Sequence, residues 1–123
     1  MLDASAVLAA LLGEPGAQTV EAHREGSVLS TVNLAEVMQR TAARGLNLEG
    51  FAEDIAASGI AVLPFTSEDA RVSAELWPET RPLGLSLGDR ACLALALRLG
   101  LPAITADRAW GQLHIGIDIQ LIR

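Results

Sequence analysis

Four carboxylates in this chain stand at corners where chemistry is easily done. Asp3 closes the opening "MLD", Glu36 lies in "STVNLAEV", Asp89 in "LSLGDRACLALA" and Asp107 in "ITAD". Four acids cannot share a small volume without compensation, because like charges raise one another's pKa or push the groups apart. A hard divalent cation removes the conflict, and Mg²⁺ or Mn²⁺ takes oxygen ligands. An ion held this way can bind phosphate oxygens, activate water near neutral pH and stabilise an in-line phosphoryl transition state. Asp3, Glu36, Asp89 and Asp107 are therefore candidate metal-binding and catalytic residues. A plainer reading stands beside this one. Ser86-x-x-Asp89 and Asn33-x-x-Glu36 both have the capping-box spacing, and Asp3 and Asp107 can each be an ordinary N-cap. The two readings are compatible, since a capping carboxylate can still present an oxygen outward.

The elements that must position these acids follow from the apolar pattern. Met1–Asp3 reads as the end of a very short strand, with only Met1 and Leu2 ahead of the acid. Helices are expected at 4–12, 17–24, 33–44, 48–57 and 67–76, with Gly13, Gly26, Gly45 and Gly59 as stop signals. Residues 27–29, 60–63, 103–105 and 117–122 read as strands. Residues 79–84 read as a loop and 108–113 as a helical turn. Residues 89–99 form a helix apolar nearly all round, and hence buried. Alternation of short apolar strands with helices predicts βαβ units, a parallel sheet and helices on both faces. Ligands in such sheets sit beyond the carboxyl ends of the strands. Asp3, Glu36 and Asp107 all follow a strand end. Asp89 joins them if its helix begins at the same edge.

Composition sets the bounds. A length of 123 residues fits one domain over 1–123, and half the residues are apolar, which excludes general disorder. No apolar run approaches the ~18 residues a membrane span needs, and no basic stretch precedes an apolar one at the start, so neither membrane insertion nor a signal peptide is expected. The lone Cys92 fits a reducing compartment and a cytoplasmic location. Net charge is −6, and all nine basic residues are arginine. Without lysine, P-loop NTPase, protein-kinase, Schiff-base and receiver-domain chemistry are excluded. No G-x-G-x-x-G occurs, and Cys92, His23 and His114 offer no zinc spacing. Chemistry must come from carboxylates, hydroxyls and arginines.

Taken in order, "LDASA", "STVNLAEV", "LSLGDRACLALA" and "ITAD" resemble the motifs of a PIN domain, and more closely a VapC-type ribonuclease toxin of a bacterial toxin–antitoxin system. The resemblance covers essentially the whole chain. It implies a three-layer α/β/α fold around a mainly parallel sheet and a Mg²⁺- or Mn²⁺-dependent endoribonuclease that cleaves RNA phosphodiester bonds with metal-activated water. Asp3, Glu36, Asp89 and Asp107 would form the acidic quartet, and Ser5 and Thr105 would be supporting hydroxyls. The resemblance further implies a homodimer and a VapB-type antitoxin that blocks the groove, with a structured RNA such as tRNA as the usual kind of substrate.

The remaining residues are weighed against that frame. Arg40, Arg44, Arg90 and Arg108 lie near the motifs and are candidate RNA contacts. Cys92 reads as core, His23 and His114 as surface residues, and Trp77 and Trp110 as core or interface. With no Tyr and two Phe, an aromatic stacking platform for single-stranded RNA is not expected. The stretch 47–77 carries apolar stripes without chemical motifs and is the candidate for partner or dimer packing. The alternative function is a catalytically silent PIN-like protein- or RNA-binding module. Another Mg²⁺-dependent phosphohydrolase on a similar sheet has less support, because no D-x-D follows the first strand.

Overall fold

A computed structural model describes Met1–Arg123. Helices α1 (Ala4–Leu12) and α2 (Ala17–His23) lead into strand β1 (Val28–Ser30). Helices α3 (Thr31–Ala42) and α4 (Phe51–Ala57) cross to β2 (Ala61–Leu63). Next come α5 (Ser67–Glu75), the short α6 (Trp77–Thr80) and a 3₁₀ turn, Arg81–Leu83. Helix α7 (Leu87–Leu99) then enters β3 (Ala103–Thr105), and a second 3₁₀ turn, Arg108–Gln112, precedes β4 (Ile119–Leu121).

Two parallel strand pairs, β1–β2 and β3–β4, are joined through the first three residues. Leu2 bridges Ile104 in parallel. The Leu2 N–H donates to the Val28 carbonyl at 2.8 Å, and the Asp3 N–H donates to the Ile104 carbonyl at 3.0 Å. The order across the sheet is thus β2, β1, residues 1–3, β3, β4. The expected short first strand is present as a single bridge, and it occupies the centre of the sheet.

Each face of this sheet carries its own core. Neighbouring strand residues point to opposite faces. Leu2, Leu29 and Ile104 pack with α1, Val20, Leu34, Val37 and Ile55 on one side. Met1, Ala103 and Ile119 pack with Leu76, Leu93, Leu95 and Trp110 on the other. The α/β/α expectation holds. Cys92 is fully buried in the second core, and burial raises its thiol pKa well above the ordinary value.

Helix starts account for most differences from the sequence reading. Ser30 caps α3 and accepts from the Val32 N–H, so the helix opens two residues earlier than expected and Asn33 is not its cap. Gly50, at φ 72°, precedes α4, which begins at Phe51 rather than at 48. The stretch read as a loop at 79–84 is largely helical. Pro78 and Pro82 sit in the first turns of α6 and the 3₁₀ turn, where a missing N–H costs nothing. Helix α7 matches the reading: Ser86 and Asp89 form a reciprocal capping box, Gly100 closes it at φ 64°, and no β-branched residue interrupts it.

Helices α5 and α7 are tied by Arg98, whose Nε lies 2.7 Å from Asp69 Oδ1 and whose Nη2 lies 3.1 Å from Oδ2. Asp69 is 1 % exposed and also accepts from the Thr66 N–H in the α5 capping box. Removing Asp69 takes away both the ion pair to the partly exposed Arg98 and the carboxylate half of that capping box. Asp69→Ala should therefore lower unfolding stability by about 1–2 kcal/mol in a urea titration, whereas loss of the exposed Arg71–Glu75 pair through Glu75→Ala should cost under about 0.5 kcal/mol.

Candidate functional site

All four acids line one cleft of about 420 Å³ at the carboxyl edge of the sheet. Ser5, Ser86, Glu14, Arg40, Arg44 and Arg123 share its walls. Asp3 is delivered there as the N-cap of α1, where its Oδ1 accepts from the Ala4 N–H at 2.7 Å. Glu36 lies one turn into α3, just past the end of β1. Asp89 is the third residue of α7, where its Oδ2 accepts from the Ser86 N–H at 2.7 Å. Asp107 caps the 3₁₀ turn after β3 and accepts from the Ala109 N–H at 3.0 Å. Three of the four are therefore capping groups, as the plainer reading anticipated, and all four still face the same space.

Asp3 is the buried anchor, at 3 % exposure. Its Oδ2 accepts from the Ser5 hydroxyl at 2.5 Å and from the Thr105 hydroxyl at 2.9 Å. The two hydroxyls lie 3.2 Å apart. They also hold the far side of the cleft, because the Ala106 N–H donates to Ser5 Oγ and the Asp107 N–H donates to Thr105 Oγ1, both at 3.0 Å. Ser5 and Thr105 thus couple the Asp3 carboxylate to the loop that carries Asp107.

Across the cleft, Asn33 stitches α3 to α7. Fully buried, it donates from Nδ2 to Glu36 Oε2 and to the Gly88 carbonyl, both at 3.0 Å. Its Oδ1 has no partner. Gly88 lets the Glu36 carboxylate lie against its Cα: a Cβ built there would come 2.4 Å from Glu36 Oε1. The capping-box spacing had suggested Asn33 as a helix cap, and Gly88 carried no signal beyond standing next to Asp89.

The electrostatics follow from this crowding. Burial first, and then the Asp89 charge, push Asp3 up to about 6, against the pull of the Ser5, Thr105 and Ala4 hydrogen bonds. Glu36 is raised by burial and by Asp89, despite Asn33 and Arg40. Asp89 is raised by burial and by Asp107, despite the Ser86 cap. No three of the acids converge into a preformed cage. Asp3, Asp89 and Asp107 are turned toward backbone or hydroxyl donors and Glu36 toward the Asn33 amide, as uncompensated like charges require. Mg²⁺ commonly takes one or two direct carboxylates and keeps several waters, so an open cleft ringed by hard oxygen donors fits such an ion. Asp3, Glu36, Asp89 and Asp107 are the side chains that would hold it.

The arginines named from sequence separate here. Arg40 and Arg44 line the cleft. Arg90 does not: its Nη1 donates to the Ser73 carbonyl at 3.1 Å, and its own carbonyl accepts from the Ser73 hydroxyl. Arg108 is exposed outside the cleft lining, as are His23 and His114. Arg123, which the motifs did not bring forward, reaches the cleft and pairs with Glu14 at 3.0 Å.

Residues 1–115 match the PIN domain family. The chain belongs to that family. Its fold is also similar to a solved chain described as a toxin–antitoxin complex from Klebsiella pneumoniae, with a TM-score of 0.70, 20 % identity, and coverage of 96 % of this chain and 98 % of that one. No curated protein sequence matches it. PIN domains are generally nucleases, and the acidic cleft at the strand ends lies where such chemistry is placed by the fold.

Two outcomes follow from the geometry. An acid whose folded pKa lies above its ordinary value costs stability as it ionises. The cost is absent well below pH 3.8, grows between 3.8 and about 6, and is complete above that. In chelator, moving the wild type from pH 7 to pH 5 should therefore recover about 1 kcal/mol from Asp3, several degrees in Tm, relative to Asp3→Asn. That comparison cancels the N-terminal amine, whose pKa burial lowers and which works in the opposite sense. Saturating Mg²⁺ should raise the Tm at pH 7 and flatten the difference. Gly88→Ala should displace the Glu36 carboxylate and weaken Mn²⁺ binding about tenfold by calorimetry, with the fold intact by circular dichroism.

Proposed function

We propose that this PIN domain is a divalent-metal-dependent endoribonuclease acting as the toxin of a toxin–antitoxin pair. The observation that carries the reading is the convergence of Asp3, Glu36, Asp89 and Asp107 on one open cleft, with their pKa values raised at three of the four positions. A carboxylate cluster that resists its own ionisation calls for a cation. When bound, Mg²⁺ or Mn²⁺ supplies positive charge against the phosphoryl transition state and lowers the pKa of the attacking water.

The chain's own groups set the rest. Asp3, fixed by Ser5 and Thr105, would offer a bound cation an immobile oxygen, so little reorganisation would be needed when the ion arrives. Asp89 and Glu36, on the opposing walls of α7 and α3, would contribute carboxylate oxygens to hold the ion. Asp107, more exposed, stands at the rim and can accept a proton or a hydrogen bond from solvent. The cleft is open to a polymer rather than closed around a small molecule, which favours internal cleavage of a strand.

Membership of the toxin class rests on the motif resemblance and on the fold shared with the Klebsiella toxin–antitoxin chain. It brings with it a VapB-type antitoxin as protein partner and a homodimer as the expected assembly. No helix is long and apolar enough to cross a membrane, in keeping with RNA in the cytoplasm as the substrate.

Purified protein, freed of any partner, should cut total RNA with Mg²⁺ or Mn²⁺ and stop on addition of chelator. Asp3→Asn and Asp89→Asn should each lower the cleavage rate by at least about a hundredfold with unchanged circular dichroism. RNA binding without cleavage under every metal would instead establish the silent binding module.

A further inference from the structure

We infer that the RNA strand leaves the acidic cleft along the outer face of α3, where Arg40 and Arg44 bind its phosphates. This deepens the nuclease reading and rests on it. Arg40 lies on the wall between two hollows. One is the cleft itself. The other, about 400 Å³, is lined by Glu36, Gln39, Arg40 and Ala43 and so continues the cleft along α3.

The state of the guanidinium groups singles out this path. Arg24, Arg71, Arg98 and Arg123 are each paired with a carboxylate. Arg81 stacks on Trp77 at 5.0 Å, and Arg90 is bonded to Ser73. Arg44 donates through one nitrogen to the Arg40 carbonyl, leaving the rest of its fork free. Arg40 and Arg108 alone have no partner. In a chain with fifteen acids and nine arginines, a guanidinium left unpaired on the wall of an acidic cleft is a group kept for an anion.

Spacing supports the same path. Arg40 is one helical turn, about 6 Å, beyond Glu36, and Arg44 stands in the turn that follows α3, four residues further along the chain. Their long side chains can therefore meet successive phosphates of one strand running outward from the reacting one. Arginine suits this task because its planar fork takes phosphate oxygens in pairs. With a net charge of −6 the molecule offers a strand little general attraction, so the track also sets where RNA enters. Substrates ending close to the cleaved bond would lack these contacts.

Arg108 provides the matched control, being equally unpaired but off the cleft. A fluorescein-labelled single-stranded RNA 12-mer is titrated by anisotropy against Asp89→Asn protein, which keeps the strand uncut, across a salt series. Adding Arg40→Ala should weaken binding about tenfold and reduce the slope of log K against log salt by about 0.7. Arg40→Lys should fall between, and Arg108→Ala should change neither quantity. With Asp89 restored, Arg40→Ala should raise KM for long RNAs several-fold more than KM for dinucleotides. Equal effects of Arg40→Ala and Arg108→Ala, or none from Arg40→Ala, would overturn the inference even if the protein cuts RNA. Arg40-dependent binding by protein that cuts no RNA under any metal would uphold the track and remove the nuclease reading.

Discussion

A carboxylate buried at the centre of a sheet is costly unless donors surround it, and Asp3 is that carboxylate. It follows the segment that joins the two strand pairs, so it cannot be withdrawn without parting β1 from β3. The chain meets the cost locally, with the Ala4 amide and the Ser5 and Thr105 hydroxyls. Those donors do not complete the task, since Asp3 remains pushed up to about 6 by burial and by Asp89. A cation at that fixed point would relieve what is left over. The site follows from that residual demand.

The same hydroxyls make the cleft a single unit. Ser5 belongs to α1, Thr105 ends β3, and each also accepts an amide of the loop leading to Asp107. On the other side, Asn33 performs the corresponding task between α3 and α7, with Glu36 seated against Gly88. Two short polar seams, one on each wall, thus hold four acids from four elements at one edge. The apolar layers above and below the sheet give those seams a rigid backing, because close-packed cores resist small shifts.

Charge is distributed with similar economy. Four of the nine arginines are paired with carboxylates, and the Asp69–Arg98 pair ties α5 to α7. Arg40, without a partner, and Arg44, with most of its fork free, stand beside the acids, whereas the unpaired Arg108 lies off the cleft. An acidic protein can therefore receive a polyanion at one place while repelling it elsewhere, which favours directed over general binding.

The sequence by itself determined the elements and their order, because local signals dictate them: glycine stops, capping residues, apolar runs without β-branching in α7 and alternating strands. It also singled out the four acids, since each follows a recognisable strand end or helix start, whereas Ser5 and Thr105 came forward only through the motif resemblance. Boundaries slipped where one cap competes with another, as Ser30 did with Asn33, and where prolines open a turn instead of breaking it, as at Pro78 and Pro82. Only the tertiary structure decided which arginines reach the cleft. Arg90 stands next to Asp89 in sequence, yet the helical rotation of about 100° per residue turns it toward Ser73 and away from the acids. The roles of Asn33 and Gly88 were equally invisible, for they depend on how closely α3 approaches α7, a distance set by packing between elements more than fifty residues apart.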